Sequence, residues 1–288
     1  MFDHTPHSST RSHLLTIAQR VAGEFARDPR SIGMLIAGSV ARGPVDAISD
    51  IDMSLYLSEP YTTEEMEAEK ERAIASGGGF YGGTAADGFA LWRCVDGVKV
   101  DIGIGASTMI DEIIDDLHIN HTLDNDSHLI ADGIQRSTML FGEDLITPWK
   151  TRLDDFPDAL ARAMVKENLR LPTLWILRDM CVGRGERIWY AEMMLDYTRR
   201  LLWILCGLNR RYYPGKTKGF AYVASTLAVA PANFRDRMEA LMTFDAERSV
   251  DEMHALALET YDLVDRLMPE IETAEARAWL VRKQSCKA

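Results

Sequence analysis

Residues 37–57 read AGSVARGPVDAISDIDMSLYL, and no other stretch constrains the chain as tightly. An apolar run, Ile32-Gly33-Met34-Leu35-Ile36-Ala37, leads into Gly38-Ser39. A short apolar run closed by a turn pair reads as a buried strand. Asp50 and Asp52 then alternate with Ile51, Met53 and Leu55. A strand has a side-chain period of two, so both carboxylates leave one face while Ile51 and Met53 pack on the other. Two carboxylates side by side at a strand start make a poor core and a good Mg²⁺ site. The Gly38-Ser39 turn offers backbone N–H groups and a hydroxyl beside that metal, which suits the phosphates of a nucleotide.

Further along, Phe89–Val95 and Val98–Ile104 flank Asp96-Gly97. That pair between two alternating runs is the sharpest hairpin signal in the chain. Asp101 sits on the second strand of this hairpin, flanked by apolar residues as Asp52 is. A helix is expected over 9–27, strands over 32–37 and 51–57, and a charged helix from Thr62-Thr63 to about Ser76. The glycine-rich stretch 76–88 reads as a loop, either a flap or a flexible connection. A helix over 106–118 and a helix-strand connection over 127–147 complete this part. The composition changes near Pro148–Pro157, after which strand signals stop. Helical patterns cover 157–182, 186–209, 231–244, 249–269 and 273–283. The second is apolar almost all round, as a helix in the middle of a bundle would be. The expected domains are therefore 1–148, mixed α/β, and 149–288, all helical.

The apolar strand, Gly38-Ser39 and the Asp50-Ile51-Asp52 alternation together resemble the signature of the DNA polymerase β-type nucleotidyltransferase superfamily. That family carries a third carboxylate on a later strand, and Asp101 in Val98–Ile104 matches it. The two-part order is similar to antibiotic nucleotidyltransferases of the kanamycin and lincosamide kind. The fold class expected is thus α+β, a polymerase-β-like mixed sheet with flanking helices followed by a helical bundle. The resemblance is specific over 32–104 and architectural over 150–288.

What it implies is Mg²⁺-dependent transfer of a nucleoside monophosphate from an NTP, with ATP the expected donor, to a hydroxyl, releasing pyrophosphate. Asp50, Asp52 and Asp101 would hold two Mg²⁺ ions, with Asp101 as metal ligand, general base or both. Gly38 and Ser39 would cradle phosphate. Arg42 would swing back to the β- or γ-phosphate. Ser49 either orients the metal strand or only builds its turn. In the helical half, Asn209-Arg210-Arg211-Tyr212-Tyr213-Pro214-Gly215-Lys216-Thr217-Lys218 looks like a phrase found in bacterial relatives without assigned substrates. Lys216 or Lys218 would reach the triphosphate as that half covers the substrate.

Bulk properties narrow the partners. The net charge of −12 argues against stable nucleic-acid binding, which needs clustered Lys and Arg. It suits a small-molecule acceptor, aminoglycoside-like or lincosamide-like. A protein side chain as acceptor, as in antitoxins that AMPylate a toxin, and a non-catalytic nucleotide-binding regulator are the alternatives. The four cysteines show no CxxC spacing, and Met1–Arg20 is polar, so a cytoplasmic setting without a signal peptide is expected. The run Leu201–Leu208 is too short to span a bilayer, so no membrane partner is expected. His118, His121 and His128 lie close in sequence, but loop histidines are usually solvated, and a zinc site is not the expected reading.

Overall fold

The computed structural model describes residues 8–43, 45–215, 217–242 and 246–283. It forms two compact units, one from Met1–Asp116 with Ile130–Asp155, the other from Leu117–Leu129 with Phe156–Ala288. This is not the single cut between residues 148 and 149 that the composition suggests. Pro148 does not break the chain. It lies inside a helix, Glu143–Asp154, that is anchored by buried Ile146, Trp149 and Leu153.

The first unit is built on six strands: β1 Ser31–Ile36, β2 Ile51–Leu57, β3 Gly79–Thr84, β4 Gly88–Val95, β5 Val98–Ala106 and β6 Thr138–Phe141. Their order across the sheet is β3-β4-β5-β2-β1-β6. Only β2 and β5 run parallel; the other neighbours are antiparallel. The β4–β5 hairpin turns at Asp96 and Gly97 with φ of 51° and 76°, the left-handed pair that the Asp-Gly signal calls for.

Helices α1 (Ser8–Phe25) and α3 (Thr63–Ala75) cover one face. Leu14, Ile17, Ala18 and Val21 of α1 recur at helical spacing and join Met66 and Ala73 of α3. Opposite them lie Ile51, Met53, Leu55, Val100, Ile102 and Ile104. Each fully buried aliphatic side chain of this kind contributes about 1.5–3 kcal/mol. Thr62 starts α3 through a capping box, its hydroxyl accepting from Glu65 N–H while the Glu65 carboxylate accepts from Thr62 N–H. The strict alternation sends Asp52, Ser54, Lys99, Asp101 and Gly103 to the other face.

That other face is partly covered by α4 (Thr108–Asp115) and α6 (Glu143–Asp154). The chain enters α2 (Gly38–Arg42) directly after β1, and α5 (Asn125–Gln135) follows α4. Trp149 of α6 packs edge-on against Tyr56, centroids 4.8 Å apart, and donates its indole N–H to Asp111 at 2.9 Å. Gly33 lets α6 approach, since a Cβ there would lie 3.0 Å from a Leu145 methyl. The acid-bearing end of the face remains half-exposed.

The stretch 76–88 is not a loop. Residues 79–84 form the edge strand β3, paired with β4. Its glycines permit close backbone approach: a Cβ on Gly78 would lie 2.0 Å from the Trp92 carbonyl, and one on Gly83 2.3 Å from the Gly88 carbonyl. Gly82 and Gly83 take positive φ beside a register shift at Phe80/Gly82, a bulge that local sequence presents only as flexibility.

The second unit contains α7 (Asp158–Asn168), α8 (Arg187–Leu208), α9 (Phe220–Ser225), α10 (Phe234–Leu241), α11 (Ala246–Leu267) and α12 (Ala274–Leu280). Residues 201–208 of α8 are all buried. Gly207 lets α7 close on α8, because a Cβ there would lie 2.9 Å from the Ala161 carbonyl. The continuous helix expected over 157–182 is broken after Asn168 and resumes as a π-helical turn at Ile176–Val182. Pro172 disfavours helix in the residue before it. The carbonyls freed there accept from Tyr261 hydroxyl (Leu169, 2.6 Å), Tyr197 hydroxyl (Pro172, 2.7 Å) and Trp279 indole (Leu171, 3.0 Å). Among the described residues no helix is long and apolar enough to cross a membrane.

Candidate active site on the sheet face

β1 ends where Ala37 N–H donates to the Asp52 carbonyl at 2.8 Å, pinning the turn to β2. The next residue, Gly38, has φ of +64°. A Cβ there would sit 1.8 Å from Asp52 Oδ2, so only glycine lets the turn close over this carboxylate. The turn runs into α2, whose last carbonyls are held from outside. Arg11 of α1 donates to Val40 O at 3.0 Å and to Ala41 O at 3.4 Å. A cation at a helix C-terminus is favourably placed.

Asp52 and Asp101 face each other directly in the parallel β2–β5 register. With Asp50 they offer oxygens that all lie within 4.8 Å of one another, each residue half-buried. Three hard oxygen donors at a half-exposed strand edge fit a divalent ion of the Mg²⁺ kind. The expected triad thus converges in space.

Two further described residues join the cluster. Lys99 reaches along the same face, its Nζ 2.6 Å from Asp101 Oδ2 and 3.5 Å from Asp50 Oδ2. Tyr81 on β3 donates its hydroxyl to Asp101 Oδ1 at 2.7 Å. The ammonium also lies 5.6 Å from the Tyr81 ring centroid and 6.0 Å from that of Trp92. Burial pulls the Lys99 pKa down, but hydrogen bonds to Asp101 and Tyr81 outweigh it and hold it above the ordinary lysine value. Burial also raises the Tyr81 phenol, so it remains a donor at neutral pH. The sequence reading singles out neither residue. For Lys99 a signal exists, since a strand residue two before Asp101 shares its face. For Tyr81 none does, because it lies in a glycine-rich segment whose strand pairing is non-local.

The remaining expected residues divide. Ser39 and Arg42 are half-buried on α2, the helix that begins at Gly38. Ser49 is engaged by its own turn: its hydroxyl donates to Asp46 Oδ1 and accepts from Asp46 N–H, both at 2.9 Å. Lys216 lies outside the described residues. Lys218 is exposed just before α9 in the second unit. Tyr212 and Tyr213 of the same phrase are fully buried. Tyr213 stacks on Trp203 at 4.2 Å, and its N–H donates to His128 Nδ1 at 3.2 Å. His128 is not solvated as expected. It is fully buried, and burial pushes its pKa down to about 4, so it is neutral, its other ring nitrogen paired with Thr122 O at 3.0 Å.

Beyond the acids on the same sheet face lies a cavity of about 350 Å³. Its floor includes Ser54, Ala90 and Gly103, one strand step past Asp52, Trp92 and Asp101. A Cβ on Gly103 would meet nothing closer than the Met53 carbonyl at 4.0 Å. Among the described residues Asp87 is the one charged residue lining it, and no Lys or Arg does. A larger cavity of about 620 Å³ lies on the opposite face, where Arg93 points. Among its charges Arg30 pairs with Asp28 and Glu65, and Arg93 with Glu24 and Glu69. That cavity is a tie between α3 and the sheet.

No family model matches the chain. No curated protein matches it either. Among solved structures, it is similar to a nucleotidyltransferase-like protein from Exiguobacterium sibiricum 255-15, at 12% identity and a TM-score of 0.37, over 89% of this chain and 80% of that one. A likeness of this extent says nothing about activity, which must be argued from the carboxylates and their surroundings.

Proposed function

We propose that the protein is a metal-dependent nucleotidyltransferase that moves a nucleoside monophosphate from an NTP, ATP in the first instance, to a hydroxyl of a small molecule. One observation carries the proposal: three carboxylates meet on and just before two adjacent parallel strands, with a turn closed over one of them where an added Cβ would displace the carboxylate.

Asp50, Asp52 and Asp101 would hold Mg²⁺, which when bound neutralises charge on the transferring phosphoryl group. Gly38, Ser39 and Arg42 would orient the phosphates from the α2 side. Asp101 takes the acceptor's proton as the acceptor oxygen bonds the α-phosphorus and the bond to the bridging oxygen breaks, releasing pyrophosphate. Tyr81 holds Asp101 in place through Oδ1. The cavity past Gly103 favours a small neutral or cationic acceptor over a phosphorylated one, since among the described residues no cation lines it and Asp87 does. An aminocyclitol or lincosamide antibiotic has that chemistry, and the net charge of −12 suits it. Among the described residues Cys94, Cys181 and Cys206 form no disulfide, which agrees with a reducing cytoplasm.

The test is label transfer. The protein is incubated with Mg²⁺ and each α-labelled NTP against pools of aminoglycosides and lincosamides. A labelled acceptor that disappears with Asp52→Asn supports the proposal. Absence of Mg²⁺-dependent nucleotide binding would refute it.

A further inference from the structure

We propose that Lys99 is the resident cation of the acid cluster, displaced when metal enters, so that metal loads tightly only together with nucleotide. This rests on the reading of the site as one for nucleotidyl transfer. The ammonium is 2.6 Å from Asp101 Oδ2 and 3.5 Å from Asp50 Oδ2, so it bridges two of the three carboxylates. A divalent ion held by the triad would draw on the same two carboxylates. An ion pair at that distance and a metal bond to the same oxygen compete, because the carboxylate's charge is shared between them and the two cations repel.

The placement is built by the sheet. Lys99 and Asp101 share a face because they are two residues apart on β5, and Asp50 precedes the strand that pairs in parallel with it. The rings of Tyr81 and Trp92 flank the lysine, which keeps the ammonium near the cluster. The side chain is still 40% exposed, so it has a way out. An ammonium released beside a bound polyphosphate finds a new anion within the reach of its flexible stem. Lys99 therefore disfavours the metal-only state and favours the metal-nucleotide state. Its departure also frees Asp101 Oδ2, while Oδ1 stays held by Tyr81, leaving one oxygen of that carboxylate for the proton or the metal.

The test measures Mn²⁺ binding by electron paramagnetic resonance, without turnover, for wild type, Lys99→Met and Lys99→Gln. Without nucleotide, both variants should bind Mn²⁺ about ten-fold more tightly than wild type, within the range typical of coupled sites. With α,β-methylene-ATP and Mn²⁺, both should bind the nucleotide about ten-fold more weakly. A merely structural lysine would lower both affinities, so the opposite signs identify the role. Equal or weaker Mn²⁺ binding in the variants overturns the displacement. Unchanged nucleotide affinity overturns the transfer to phosphate. If wild type binds no Mn²⁺–nucleotide, the nucleotidyltransferase reading fails, while the metal-only comparison still decides whether Lys99 competes.

Discussion

Gly38→Ala should disable the site at small cost to the fold. The new Cβ would stand 1.8 Å from Asp52 Oδ2, and real Cβ contacts essentially never fall below 3.0 Å. The carboxylate oxygen must therefore retreat by at least the 1.2 Å difference between those distances. It is the end of a side chain, so it can rotate away without moving β2. The stability loss is then mainly the left-handed backbone penalty at φ +64°, roughly 1–2 kcal/mol for a non-glycine residue. For a unit of this size that lowers the melting temperature by about 2–8 °C. Function should suffer more, because misplacing a reacting group by about 1 Å can cost ~100-fold. Gly43→Ala is the matched control. Its φ is +112°, yet no atom lies within 4 Å of the added Cβ. It should lose stability and keep metal affinity. Calorimetry gives the melting shift, Mn²⁺ titration the metal affinity, and label transfer the rate. If Gly38→Ala keeps Mn²⁺ affinity and kcat/KM within about three-fold, under 1 kcal/mol of transition-state stabilisation, the turn does not position Asp52.

Asp50→Asn and Asp52→Asn should each lower label transfer by more than about ten-fold, at least ~1.4 kcal/mol of the barrier, with thermal unfolding unchanged; activity nearer to wild type removes the residue from the metal site. Gly103→Leu should fill the floor of the cavity, leaving α,β-methylene-ATP affinity unchanged and raising the acceptor KM by about ten-fold; a fall in nucleotide affinity instead would mean that the base, not the acceptor, sits there. His128 should make the helical unit acid-sensitive. Its folded pKa is about 4 against an ordinary 6.5, so between those values the unfolded chain binds a proton that the native one does not. Stability is thus fully present above pH 6.5 and falls by up to about 3 kcal/mol as pH drops to 4. Urea unfolding across that window should show a flatter profile for His128→Gln, and parallel profiles would place the acid sensitivity elsewhere.

Sequence alone was enough to determine which residues share a face. Periodicity is local, so Ile51-Asp52-Met53 and Val100-Asp101-Ile102 declare on their own that both aspartates leave the core side. The Asp96-Gly97 turn is equally local, because its φ values are a property of those two residues. Residues 201–208 of α8 announce their burial by having no polar side chain. The earlier part of that helix instead carries Glu192, Asp196, Arg199 and Arg200 and leaves Ile188 and Leu195 exposed, against the expectation of a helix enclosed along its whole length. Tertiary structure alone decided what surrounds the acids. Tyr81 meets Asp101 because β3 pairs with β4 past a bulge and β4 pairs with β5; each register is set by packing between segments, and a shift of one residue would turn Tyr81 away. The glycines of 76–88 carry the same ambiguity, since the missing Cβ that allows flexibility also allows one backbone to lie against another. Pro172 marks a break that composition cannot distinguish from a kink until three aromatic donors from distant helices are seen to satisfy the freed carbonyls. His128 is buried and neutral only because Trp203, Tyr212 and Tyr213, far along the chain, close around it. Alternation and turn chemistry act over a few residues and are written in order. Register, burial and the pairing of charges depend on which distant segments meet, and that is decided only when the chain has packed.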